Sequence, residues 1–178
     1  DGEAQIIEIY TPIVANAKAI KLQIPKISHL IADSKSGFSL AKGIGDSGTC
    51  NVDVVCRVPT LGTNFTNAKN SVARMVFTDA GDSFTCTGTL LADTDAATQI
   101  PYFYTADHCV GDATTAATLN TYWGFEATAC GNGVSAATTQ LTTGADYFYS
   151  DGNSDASLLR LKSAPPAGVF FAGWNSAA

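Results

Sequence analysis

The chain has 178 residues, 46% hydrophobic and 15% charged, a balance that predicts a folded globular protein rather than a disordered tail. The formal net charge is -6 and the 10 lysines and arginines are scattered, which excludes a basic surface for nucleic acid or for an anionic membrane. No apolar stretch approaches the roughly 20 residues that span a bilayer, and residues 1–25 lack the pattern of a signal peptide. We therefore expect a soluble chain from which any export signal has been removed.

Residues 1–44 differ in composition from the rest of the chain. They hold no cysteine, and two short β-like runs, IIEIY at 6–10 and AIKLQI at 19–24, precede the linker-like segment SHLIADSKSGFSLAKG. We interpret this part as an N-terminal β arm appended to the main domain.

Residues 45–178 form the main predicted domain. Short runs rich in β-branched and aromatic residues alternate with turn clusters, and no run keeps a helical periodicity for long. This pattern predicts an all-β sandwich or barrel. The absence of a strand-glycine-helix phosphate motif disfavours a nucleotide-binding α/β fold, and no cofactor is implied. The runs are, in chain order, ARMVFT, FTCTGTLL, PYFYTA, TLNTYWGFEA, DYFYS, SLLRL and GVFFAGW.

Cysteine usage indicates an exported, disulfide-bonded protein rather than a cytosolic one, because the cysteines lie among turns rich in Gly, Thr, Ser and Asn. The five cysteines are Cys50, Cys56, Cys86, Cys109 and Cys130. Because five is odd, one thiol has no partner within the chain. Without a CxxC pair, and with His29 and His108 as the only histidines, the sequence predicts no metal site.

The segment YFYTADHC at 102–109 carries the strongest candidate for chemistry. An apolar strand runs into a turn, and His108 is followed at once by a cysteine that a disulfide can anchor. A general base must be held in one orientation, and a cross-linked turn at the end of a buried strand meets that need. His29, in the segment ISHLIAD, has no comparable setting. We therefore select His108 as the candidate base.

This segment resembles the T-A-x-H-C motif of trypsin-like serine peptidases, and its surroundings resemble the bacterial lysyl-endopeptidase branch of that family. The matching segments occur in the same order and cover most of residues 45–174. The resemblance implies a chymotrypsin-like fold of two β-barrels, of which residues 45–178 would supply the first. Besides YFYTADHC, the segments are GDSGTCNVDVVC (45–56), CTGTLLADT (86–94), AATLNTYWGFEATAC (116–130), DASLLRL (155–161) and FFAGW (170–174).

On this resemblance His108 matches the general base, and Asp155 matches the carboxylate that orients the imidazole and stabilises its protonated form. Asp146 and Asp151 are alternatives, since both lie close in sequence and turns are rich in Asp for local hydrogen-bonding reasons. Asp107 adjoins His108, so we expect its side chain to project away from the ring.

The tetrapeptide GDSG at 45–48 is similar to the nucleophile motif of trypsin-like enzymes, but Thr49 follows where that motif continues with a second Gly. Ser47 also precedes His108 and Asp155, whereas the family order is His, Asp, Ser. Order alone does not forbid a triad, because the same constellation recurs in different orders on different folds. We assign this segment instead to the opening of the mature family members, without a catalytic role.

The resemblance also implies how the cysteines pair: Cys86 with Cys109, Cys56 with Cys130, and Cys50 with a cysteine in the second half of the peptidase. In the family that half supplies the nucleophilic serine, the oxyanion-hole glycines and the specificity pocket. Residues 1–44 would correspond to the end of a propeptide, as in an unprocessed zymogen, or to an extra strand pair that covers a barrel edge.

These observations predict a secreted, extracellular or periplasmic serine endopeptidase that cuts polypeptides after Lys or Arg and is inactive without its C-terminal half. That half, from the same precursor, is the expected partner. The alternative is a non-catalytic peptidase-like subunit that assembles with copies of itself through an exposed barrel face or through its N-terminal strands, for example into an extracellular filament. A degenerate homologue bound to an inhibitor would leave the same pattern in the sequence.

Overall fold

The computed structural model describes residue 7, residues 21–22, 50–95 and 97–176. The predicted arm therefore lies almost wholly outside the described residues, as do His29 and Ser47. The described residues form seven strands and two helices. In chain order these are α1 (Val54–Asn70), β1 (Val72–Asp79), β2 (Asp82–Leu91), β3 (Tyr102–Thr105), α2 (Ala113–Ala116), β4 (Asn120–Trp123), β5 (Thr139–Leu141), β6 (Ala145–Asp151) and β7 (Ala156–Leu161).

The strands form one antiparallel sheet in the order β5-β4-β1-β2-β3-β7-β6, so the all-β prediction is confirmed. Strands β1 and β2 make a tight hairpin in which Asp79 pairs with Asp82. The two residues between them, Ala80 and Gly81, have φ angles of 47° and 104°. A two-residue hairpin turn with both φ angles positive matches the right-handed twist of its strands, which sets the register of this pair.

One face of the sheet holds the core. Burial alternates along β7, as expected for a strand with one face against the core and the other toward solvent, whereas β1 also buries the three successive residues Met75, Val76 and Phe77. Full burial of a large apolar side chain stabilises the fold by about 1.5–3 kcal/mol. The largest buried side chains of the core therefore contribute most to the free energy of unfolding. A Cβ built at Gly88 of β2 would overlap the Phe103 ring, so this glycine lets the ring approach the strand. The largest fully buried apolar side chains are Phe103, Met75, Leu90, Leu119, Leu159 and Val110.

The sheet curls but does not close into a barrel, because no ladder joins β5 to β6 among the described residues. Its two ends meet at Gly144, whose N–H donates to the Leu119 carbonyl and whose carbonyl accepts from the Lys162 N–H, both at 3.2 Å. Gly144 has φ +76°, and a Cβ there would overlap the Ala117 backbone. A glycine is therefore required where the curled ends touch.

Helix α1 is an element that the sequence patterns do not predict. It contains Pro59, and Gly62 interrupts it with φ 71° and ψ -165°. None of its residues is buried, so α1 contributes no side chain to the core. Its attachments lie near its ends, where Cys56 forms a disulfide and Lys69 bonds Glu126 at 2.8 Å. In the described part of the chain, neither helix has the length and apolar character needed to cross a membrane.

Candidate active site

His108 lies on a single helical turn at the end of β3. The N–H groups of Cys109 and Val110 both donate to the Ala106 carbonyl, at 3.2 and 3.1 Å. The preceding strand residue, Thr105, is buried and donates its hydroxyl to the Thr87 carbonyl at 2.9 Å. Hydrogen bonds thus hold both the turn and the strand residue before it. The side chain of His108 is 70% exposed and projects into solvent.

Asp155 ends the loop between β6 and β7. Asp151 organises that loop, because its carboxylate accepts from the Ser154 hydroxyl at 2.8 Å and from the Asn153 N–H at 3.1 Å. These hydrogen bonds lower the pKa of Asp151, with the Ser154 hydroxyl the largest cause. Asp155 itself has φ +50°, a left-handed conformation that Asp tolerates better than most residues.

The β3–β7 ladder brings the two candidate residues together. Thr105 of β3 pairs with Ser157 of β7 in an antiparallel ladder. The residues that follow Thr105 therefore lie beside the residues that precede Ser157. His108 Nδ1 lies 2.7 Å from Asp155 Oδ2, and the His108 backbone N–H donates to Asp155 Oδ1 at 3.0 Å. The His108 backbone N–H, followed by its ring, lowers the pKa of Asp155, so the carboxylate is held in its ionised form.

The other two aspartates considered from the sequence do not contact His108. Asp146 binds Arg160 through a charge-assisted hydrogen bond of 2.7 Å on the strand pair β6–β7. Asp151 is engaged within its own loop. A carboxylate that receives both the backbone N–H and the ring nitrogen of one histidine orients that ring, which is what a general base requires.

A comparison with known proteins gives the family. Residues 44–178 match the family model of the lysyl endopeptidase C-terminal domain. The chain belongs to the lysyl endopeptidase family. A curated lysyl endopeptidase of Pseudomonas aeruginosa is 37% identical over 181 residues, which cover 99% of this chain and 39% of the relative. The chain therefore spans about two fifths of that relative's length. Membership in a peptidase family is confirmed, whereas the division at residue 45 and the assignment of residues 45–178 to a first barrel stay predictions.

The described residues hold two disulfides, which join the pairs that the resemblance implies: Cys56 with Cys130 and Cys86 with Cys109. They close loops with sequence separations of 74 and 23 residues. The loop-entropy relation assigns them about 4 and about 3 kcal/mol. The shorter bridge fastens the His108 turn to β2. Cys50 is exposed and has a free thiol.

The same bridge argues against a metal at this candidate site. The sulfurs of Cys86 and Cys109 and a ring nitrogen of His108 all lie within 4.8 Å of one another. Both sulfurs are bonded to each other, however, and metals bind the thiolate form of cysteine. The cluster is a histidine turn secured by a disulfide.

Ser157 is a residue of the site that sequence reasoning missed. It is fully buried, and its hydroxyl donates to the Val110 carbonyl at 2.7 Å, just beyond the His108 turn. A signal was available in the sequence, because Ser157 is a polar residue in the same period-two row as Leu159 and Leu161. Polar residues in such a row require a hydrogen-bond partner.

Acidification tests the charge on Asp155. Its pKa is lower in the folded chain than in the unfolded chain, so its contribution to stability is present above the unfolded pKa and is lost as the pH falls through the folded pKa. We expect unfolding titrations in urea, from about pH 6 to about pH 2, to show less acid destabilisation in Asp155→Asn than in the wild type. Asparagine also tolerates positive φ, so it preserves the loop. Parallel curves for the two proteins would show that the interaction does not depend on the carboxylate charge.

Proposed function

We propose that this chain supplies the general base and the orienting carboxylate of a serine endopeptidase. The observation that carries the proposal is the double contact between His108 and Asp155, through the ring Nδ1 at 2.7 Å and the backbone N–H at 3.0 Å. An ordinary surface ion pair joins two mobile side chains and contributes little to stability. Here the backbone of one partner is itself a donor, which fixes the carboxylate relative to the turn.

The proposed chemistry begins with a neutral imidazole whose Nδ1–H donates to Asp155. This arrangement leaves the lone pair on Nε2, which takes the proton of the serine hydroxyl as the serine oxygen attacks the scissile carbonyl carbon. Asp155 stabilises the imidazolium that results. When the tetrahedral intermediate collapses, the C–N bond breaks, and Nε2 returns the proton to the leaving amine. Water then repeats the sequence to release the acyl group.

The serine, the oxyanion hole and the specificity pocket are assigned in this proposal to a C-terminal half of the same precursor. The 39% coverage of the P. aeruginosa relative leaves room for such a half, and the exposed Cys50 thiol is available to bond to it. The substrate would be a polypeptide, cut after Lys, as the name of the relative indicates for that protein, or after Arg. Two disulfides support export to an oxidising compartment, extracellular or periplasmic.

Labelling by a fluorophosphonate tests the proposal. The chain alone should show neither labelling nor peptide hydrolysis, because it lacks the proposed nucleophile and oxyanion hole. The chain joined to its C-terminal remainder should show both. A Ser47→Ala variant of the joined protein serves as the control and should still be labelled. A labelled peptide that contains Ser47 would contradict the proposal.

Exposed aromatic side chains favour the assembly protein as the second candidate function. Tyr149 is 60% exposed and Trp174 is 52% exposed, so both aromatic side chains are accessible to a partner. In the peptidase proposal these side chains pack against the C-terminal half, and in the alternative they pack against other copies of the chain. Sedimentation of the joined protein separates the two, since growth of oligomers with concentration in a protein without peptidase activity would favour assembly.

A further inference from the structure

Ser157 joins β7 to the end of the histidine turn. Both it and Val110, whose carbonyl accepts its hydroxyl, have no exposed surface. A buried hydrogen bond between a hydroxyl and a main-chain carbonyl is costly to lose, because the carbonyl would remain unsatisfied away from water. This contact therefore resists separation of the two segments.

The contact repeats the spacing of the His108–Asp155 pair. Val110 follows His108 by two residues, and Ser157 follows Asp155 by two residues, so the two contacts are successive links between the same two segments. Ser157 is also held by main-chain pairing on both sides, opposite Thr105 of β3 and Ser150 of β6. It is thus the first fully buried and fully paired residue after Asp155.

The backbone of Asp155 explains why such a link is needed. Its φ of +50° places a residue with a Cβ in the left-handed region, which costs free energy relative to an extended conformation. Relaxation toward an extended conformation would turn the carboxylate away from His108. The side chains of the pair, 70% and 51% exposed, are not enclosed by neighbours that would prevent this movement. The hydrogen bonds of Asp151 restrain the loop before Asp155, and the strand that follows restrains it from the other side.

We propose that Ser157 is a positioning residue for the His108–Asp155 pair, holding β7 against the histidine turn so that Asp155 keeps its carboxylate on His108. The inference rests on the proposed function only for its effect on turnover. The positioning itself is a property of this chain and is measured without activity.

The test compares Ser157→Ala with two further variants of the full chain. Ser157→Thr keeps the hydroxyl and should restore the contact. Ser163→Ala removes a different hydroxyl, one that bonds Thr143 beyond the other end of β7, and is the matched control. The readout is the ¹⁵N chemical shifts of the His108 ring in the neutral form, which report whether Nδ1 or Nε2 carries the proton. They are recorded well below the unfolding temperature, so lower stability alone does not change them.

We expect the wild type, Ser157→Thr and Ser163→Ala to favour the proton on Nδ1, and Ser157→Ala to shift it toward Nε2. In the joined protein, Ser157→Ala should lower kcat about tenfold with KM nearly unchanged, because only the base is misplaced. An unchanged tautomer in Ser157→Ala, or an equal shift in Ser163→Ala, would overturn the inference. If the tautomer shifts as expected while no joined variant hydrolyses peptides, the positioning role stands and the proposed peptidase function fails.

Discussion

Replacing His108 by alanine in the joined protein is expected to lower kcat by about a million-fold, with KM changed little. Loss of the base alone removes nearly all of the rate that the serine, histidine and aspartate produce together, because the three groups act as a unit. Steady-state hydrolysis of a lysyl peptide measures the effect. The fold should survive, since the side chain of His108 is 70% exposed.

His29→Ala is the matched control for this prediction, as it removes the other histidine of the chain. It should leave kcat and KM at wild-type values. A His108→Ala protein that retained a tenth or more of its activity would show that another group takes the proton, and the proposed function would have to be abandoned.

Replacing Asp155 by asparagine should lower kcat by about ten-thousand-fold, less than the loss of His108. Asparagine fits the space and the positive φ, but its amide cannot accept from Nδ1–H in the same way and favours the wrong tautomer. The base is then present with its lone pair on the wrong nitrogen. Values of kcat measured from about pH 6 to about pH 10 should be lower than those of the wild type at every pH.

Two further variants define how Asp155 acts. Asp146→Asn breaks the ion pair with Arg160 on the neighbouring strand and should leave kcat unchanged. The double variant His108→Ala with Asp155→Asn should be no slower than His108→Ala alone, since the carboxylate works through the histidine. If the decreases in kcat of the two single variants multiplied in the double variant, Asp155 would have a role independent of His108, and the assignment would be contradicted.

Local sequence was sufficient to predict the histidine turn. The apolar run before Thr105, the turn residues after it and the adjacent Cys109 all lie within a few positions, and the structure has β3 followed by a helical turn there. Composition likewise predicted the strands, because runs of β-branched and aromatic residues bounded by turn residues favour extended structure. Helix α1 was missed although Val54, Val58, Leu61 and Phe65 recur at helical spacing, because Pro59 and Gly62 lie within the same run and are residues that usually end a helix.

The choice among Asp146, Asp151 and Asp155 could not be made from local sequence, since all three lie in or beside turns and strands of similar composition. The family resemblance and the position of Asp155 just before a short hydrophobic strand favoured this residue. The deciding feature is the ladder register, in which Thr105 pairs with Ser157 and so sets Asp155 beside His108. A one-residue slip would reverse the direction of every side chain on β7.

By itself, the sequence determined the strand pattern, the histidine turn and, through its matching segments, the family of this protein. The tertiary structure alone decided which carboxylate faces His108, that Ser157 ties the two segments together, and that the sheet curls to meet at Gly144. The physical reason is the distance along the sequence between the residues that set each feature. Turn chemistry and side-chain alternation are set by residues a few positions apart, whereas the pair and its link join residues 47 positions apart that only strand register brings into contact.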